Sequence, residues 1–135
     1  MKRRQPEAEL QKAACAFLDA ALPRGAGTYF HIPNGGKRSR VEAAIMTTMG
    51  VKPGAADLCV LWLPGAGASI TRIGFIELKA PKGVLSDAQK AFATSVRAVG
   101  AHWGEARSVE GVEQHLRAWG CPLRAHPMRT VREAA

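Results

Sequence analysis

From Pro6 to Ala21 the apolar positions Leu10, Ala13, Ala14, Phe17, Leu18 and Ala21 recur at the spacing of one helix face. Pro6 suits a first turn, where its missing N–H costs nothing, and Pro23 cannot continue the run, so the pattern predicts a helix over 6–21. Thr28-Tyr29-Phe30-His31-Ile32 is β-branched and aromatic and stops at Pro33, which reads as a short strand before the Asn34-Gly35-Gly36 turn. Over 39–49, Val41, Ala44, Ile45 and Thr48 share a helical face and Gly50 closes the segment.

Two extended apolar runs follow, 58–63 and 70–78, joined by Pro64-Gly65-Ala66-Gly67-Ala68, a spacing that predicts a hairpin with a loose loop. Ser86 can cap a helix over 86–99 that buries Phe92 and Val96 and ends at Gly100. A strand at 102–106 and a Ser108-capped helix over 108–119, stopped by Gly120 and Pro122, complete the pattern. Helix, strand, helix, strand, strand, helix, strand, helix makes an α/β protein, a small mixed sheet flanked by helices. One domain over 1–120 is expected, followed by a short basic tail over 121–135.

The chain has 135 residues, 47% of them apolar and 22% charged, which suits a folded domain and excludes disordered and fibrous classes. Charge changes the picture more. Nineteen Lys and Arg against eleven Asp and Glu leave a formal +8, which favours a polyanionic partner because basic side chains release counterions from phosphates. Cys15, Cys59 and Cys121 lie in apolar surroundings without CxxC spacing, so they read as small buried hydrophobes. Met1-Lys2-Arg3-Arg4 is followed by a charged amphipathic stretch and not a continuous apolar core, and no run approaches the roughly 20 apolar residues that span a bilayer, so a soluble, intracellular protein is expected.

The chemistry concentrates where acids interrupt apolar strands. Gly50-Val51-Lys52-Pro53-Gly54-Ala55-Ala56-Asp57 leads into one hairpin strand, and Ile76-Glu77-Leu78-Lys79 ends the other. Residues two apart on a strand share a face, so Glu77 and Lys79 project together, about 7 Å apart at Cα, while Leu78 faces the core. If the hairpin pairs, Asp57 can sit beside Glu77. Two carboxylates converging at a strand end bind a hard divalent cation such as Mg²⁺, with waters and a substrate phosphate completing the shell, and a neighbouring ammonium can orient water or neutralise charge on the phosphate. Each residue alone also fits the solvent face of an edge strand; their combination is what points to a site.

These stretches resemble the VRR-NUC (virus-type replication-repair nuclease) branch of the PD-(D/E)xK nucleases, from Glu7 to about Trp119. Val51 to Leu58 resembles the motif around that branch's first metal-binding Asp, and Ile76-Glu77-Leu78-Lys79 resembles its (D/E)xK element. Ser86-Asp87-Ala88-Gln89 is similar to the Ser-x-x-Gln that follows the catalytic strand, His31-Ile32-Pro33-Asn34-Gly35-Gly36 to its Asn-Gly-Gly turn, and Glu7 with Gln11 to its first-helix acid and amide. Ala56 stands where the superfamily name has Pro, a position that ligates nothing. The resemblance implies a restriction-endonuclease-like core and a Mg²⁺- or Mn²⁺-dependent endonuclease. Asp57 and Glu77 would be its ligands, the Leu78 carbonyl a further ligand, and Lys79 would assist the attacking water. It also implies branched or Holliday-junction DNA as substrate and a homodimer.

The supporting residues carry alternatives. Glu7, one turn from Gln11, can reach the metal or serve as a first-turn acid, and Glu9 is available for either task. Gln89 with Ser86 makes a capping box; the functional alternative holds Gln89 near Lys79 or the water. Asn34, Gly35 and Gly36 with Lys37, Arg38 and Arg40 form a donor-rich turn suited to a phosphate backbone, and Lys52 and Lys82 are further candidate DNA contacts. The four histidines make no metal-spaced pair on one helix, His31 is a bystander, and Trp62, Trp103 and Trp119 are expected in the core. A silent nucleic-acid-binding module, a restriction-type enzyme and an RNA-directed nuclease are alternatives for the same chain. The absence of targeting segments gives a bacterial or phage-encoded cytoplasmic protein as the expected setting.

Overall fold

The computed structural model describes residues 5–33, 39–65 and 67–124. The elements run α1 (Gln5–Ala21), β1 (Gly27–His31), α2 (Arg40–Thr48), β2 (Leu58–Trp62), β3 (Arg72–Leu78), α3 (Asp87–Ala98), β4 (His102–Ala106) and α4 (Val109–Ala118). This is the predicted order. The sheet runs β1-β2-β3-β4, antiparallel between the first three strands and parallel between β3 and β4, so it is mixed as expected. The parallel pair follows from α3, which carries the chain from the end of β3 back to the start of β4.

Alternate residues of the strands feed two apolar layers. Leu58, Val60 and Trp62 of β2 and Ile76 and Leu78 of β3 join Ala14, Phe17, Leu18 and Ala21 of α1 and Val112 and Leu116 of α4 in the main core. Burying one such side chain is worth roughly 1.5–3 kcal/mol, and these hold α1 and α4 against one face. Ala13, on the flank of the α1 stripe, stays exposed. On the other face, Ala93, Phe92 and Val96 of α3 pack on Phe75 and Trp103. Gly74 is required where the Trp119 indole lies flat on the sheet: a Cβ there would meet the ring at 2.4 Å.

Trp62 and Trp103 are buried, and Trp119 stacks on Trp62, so the tryptophans pack the core as expected. Cys59 and Cys121 are buried free thiols, pushed up to about 11 by burial; Cys15 is only half-buried. Cys121 to Arg124 continue the domain, because the Arg124 backbone and guanidinium bond to carbonyls of Ala21, Leu22 and Asp19. None of the described helices is long and apolar enough to cross a membrane.

α2 differs from the other helices. It has no buried residue, and the face that carries Val41 and Ile45 points to solvent, 70% and 53% exposed. Its opposite side, Ala43, Met46 and Thr47, walls a cleft. The helical period in the sequence is the same whether a face meets a core or solvent.

Candidate active site

The cleft, about 500 Å³, opens where β2 begins and β3 ends, and Glu7, Lys52, Asp57, Glu77, Lys79 and Gln89 line it. The register brings the acids together. Leu58 pairs with Ile76, so Asp57, one residue earlier, stands opposite Glu77, and both project on the α3 side. The Asp57 carbonyl accepts from the Ile32 N–H at 2.8 Å, and its carboxylate accepts from the Leu78 N–H at 2.7 Å, which tethers Asp57 to the two neighbouring strands.

Glu77 is the one buried charged residue among those described, 4% exposed. Gln89 donates its amide to one Glu77 oxygen at 2.5 Å, and the other oxygen has no partner. Burial pushes the Glu77 carboxyl up to about 8, helped by the Asp57 charge and opposed by Lys79. Asp57 is also raised, chiefly by burial, with the Leu78 N–H and then His31 pulling it down.

Gln89 completes the capping box read from the sequence and, where the alternative put it near Lys79 or a water, its amide reaches Glu77. Its carbonyl oxygen accepts from the Ser86 N–H and its own N–H donates to Ser86 Oγ, a complete capping box, which leaves the NH₂ group to reach Glu77. Glu7 borders the cleft and accepts a long contact of 3.4 Å from the Ala80 N–H, whereas Glu9 is exposed and paired with Lys12. Of the two candidate acids, Glu7 faces the cleft.

Gln11 does not enter the cleft. One turn further along α1 it lies behind β1, its amide nitrogen 3.2 Å from His31 Nδ1, which in turn is 2.8 Å from the Asp57 carbonyl. Helical rotation and rise carry position 11 past the strand end that position 7 meets. Leu78, whose carbonyl is the suggested further ligand, borders the cleft with its side chain in the main core. Lys52 lines the cleft; Arg40 and Lys82 are exposed residues that do not. Asn34, Gly35, Gly36, Lys37 and Arg38 lie outside the described residues.

Three supporting residues escaped the sequence reading. Gly54, at φ +77°, brings the loop before Asp57 so close to α3 that a Cβ would lie 2.3 Å from the Ala88 carbonyl. His31 holds the Asp57 backbone from behind the sheet. Arg107 donates to the Ala80 and Pro81 carbonyls and to Glu105, fixing the turn after Lys79. Gly54 left a trace in the sequence as part of a Gly-containing loop before an acid, His31 was read there only as a bystander although it stands against the Asp57 carbonyl, and Arg107 left none.

Among the described residues no three His, Cys, Asp or Glu side chains cluster closely enough to cage a metal by themselves. Two adjacent carboxylates, one with a buried unpartnered oxygen, nevertheless fit a hard divalent cation, which keeps several waters and shares its shell with phosphate.

The sequence matches no protein-family profile and no curated protein. A solved structure described as a VRR_NUC domain protein has the same fold, with a TM-score of 0.63 over 84% of this chain and 87% of that one, at 22% identity. The chain therefore has the α/β fold of that protein, and its candidate chemistry rests on the residues of the cleft.

Proposed function

We propose that this protein is a metal-dependent nuclease that hydrolyses DNA phosphodiester bonds, with Asp57 and Glu77 holding Mg²⁺ or Mn²⁺ and Lys79 meeting the phosphate. The observation that carries this reading is the Glu77 carboxylate, buried beside a second acid with one oxygen unpartnered. An uncompensated buried carboxylate is costly, and a site that receives a cation explains why it is kept. The VRR_NUC fold likeness and the +8 charge support the same reading.

A divalent cation held there would polarise a phosphoryl oxygen and acidify the attacking water. The chain's own groups do the positioning. The Leu78 N–H fixes the Asp57 carboxylate, the Gln89 amide fixes Glu77, and Lys79, on the same strand face as Glu77, supplies an ammonium against charge growing on the phosphate. Glu7 closes the rim, placed for a water-mediated contact. The Leu78 carbonyl is the further protein ligand in this proposal. Branched DNA is the proposed substrate, met by a homodimer whose two sites could face two strands of one junction.

Incubation of wild type and Lys79→Ala with a labelled four-way junction, a flap and linear duplex, each with Mg²⁺, Mn²⁺ or EDTA, tests this. Metal-dependent cutting lost in the variant supports the mechanism, and the preferred substrate reads out the branch selectivity. No cutting of any substrate by folded wild type overturns it in favour of a nucleic-acid-binding module.

A further inference from the structure

The sheet face that carries Asp57, Glu77 and Lys79 is only partly covered. α3 packs over Phe75 of β3 and Trp103 of β4, while on the same face Thr28 and Phe30 of β1 are exposed and Leu61 of β2 is half-buried, with Cys59 between them buried. Register aligns Phe30 with Cys59 and Phe75, and Thr28 with Leu61 and Ile73, so all six point to the α3 side. Phe30 is 52% exposed and Ile73 37%. β1 continues through Ile32, whose N–H bonds the Asp57 carbonyl, so Phe30 stands two residues back on the next strand, on the order of 8 Å from Asp57 between Cα atoms.

Among the described residues Phe30 is the one aromatic side chain in the set of exposed large hydrophobics, and no other ring packs on it. We propose that Phe30, with Leu61 diagonal to it on β2 and Ile73 beyond Leu61 on the same face, is a stacking platform for the base of an unpaired nucleotide next to the scissile phosphate. This rests on the nuclease reading and deepens it by naming the form of the substrate strand. Every base has a π-face that an exposed ring can cover, irrespective of sequence. Within a duplex those faces are already stacked on each other, so a ring on a flat sheet meets only a nucleotide that has left the stack. A second protein copy fits less well, because a standard interface takes about 20–30 residues a side and this strip offers three. Lys52 and Lys79 in the adjoining cleft supply the charge that the attached phosphates require.

The test measures binding in EDTA, by fluorescence anisotropy, of a labelled single strand and a flap, each intact or with one abasic position stepped along the unpaired segment. Phe30→Ala and Phe30→Leu should each weaken binding about 10-fold, whereas Phe30→Trp should retain it. At one position, loss of the base should weaken wild type by a similar factor and leave Phe30→Ala unchanged, a non-additivity that general loss of fold does not produce. In Mg²⁺ the same variants should raise KM on flaps with kcat within about 2-fold. Binding by a folded Phe30→Ala that equals wild type, or additive base and ring deletions, overturns the platform. A change in sedimentation that tracks Phe30 instead assigns the strip to a second copy and also overturns it. Because anisotropy in EDTA needs no cleavage, this proposal and the nuclease reading fail separately.

Discussion

The Asp57 carboxylate accepts a hydrogen bond of 2.7 Å from the backbone N–H of Leu78, across the β2–β3 pair. That N–H lies at the last residue of β3, next to the acid and the lysine on either side of Leu78. One side chain of the proposed site is thus fixed by the backbone that presents the other two.

Asp57→Asn should separate charge from tethering. The amide oxygen can still accept the Leu78 N–H, so the thermal midpoint should stay within about 3 °C of wild type, as a change below 1 kcal/mol would give. Cleavage should fall at least about 100-fold, the scale of losing one preorganised electrostatic group. Mn²⁺ binding by calorimetry should weaken in parallel. Retained cleavage with a lowered melting point would assign Asp57 to the fold alone.

Glu77 should make the metal-free protein less stable as pH rises. Its carboxyl titrates at about 8 when folded against 4.5 as the ordinary value, so between these the native state holds a proton that the unfolded chain has released. Stability falls wherever the native state binds more protons. Glu77→Gln removes that dependence and can still accept from Gln89. Melting scans in EDTA should show the variant above wild type at pH 8.5 by several degrees, with the gap closing towards pH 4.5. A gap that is constant with pH would contradict the buried, unpaired carboxyl.

Ser86→Ala and Gln89→Ala should part company. Both break the capping box, at a cost of about 1 kcal/mol each, so both should melt a few degrees lower. Gln89 also holds Glu77, and Ser86 Oγ meets only the cap. Cleavage should therefore drop about 10-fold in Gln89→Ala and stay within about 3-fold in Ser86→Ala. Equal loss in the two would mean that α3 placement alone matters.

Gly54→Ala and Gly50→Ala compare two glycines of positive φ in one loop. Gly50, at φ +101°, has nothing within 4 Å of a new Cβ, whereas at Gly54, φ +77°, the Cβ meets α3 backbone at 2.3 Å. Gly50→Ala should cost about 1 kcal/mol, the backbone penalty by itself. Gly54→Ala must also move the loop that leads to Asp57, so denaturant melts should show a loss of at least about 2–3 kcal/mol with reduced cleavage.

The described elements follow the segments predicted from periodicity, because apolar spacing, Ser caps at 86 and 108, and glycine stops are local properties. β3 starts at Arg72 and not at residue 70, since Ile70 is exposed and has no strand partner in the register. The pairing of Asp57 with Glu77 was legible because the hairpin and the period of two leave few registers. Which of Glu7 and Glu9 faces the cleft was not, because both fit a first turn and only the angle of α1 across the end of β3 separates them.

The sequence by itself determined the order of elements, the two acids and the lysine on converging strands, and the basic charge. Tertiary structure decided what depends on distant contacts. It buried Glu77 under α3, turned Gln89 onto it, put Gln11 behind the sheet, pressed Gly54 against Ala88 and left the outer face of α2 and the ring of Phe30 in solvent. Periodicity records which side chains share a face, but burial and partners are set by whichever element packs there, and that is a property of the folded whole.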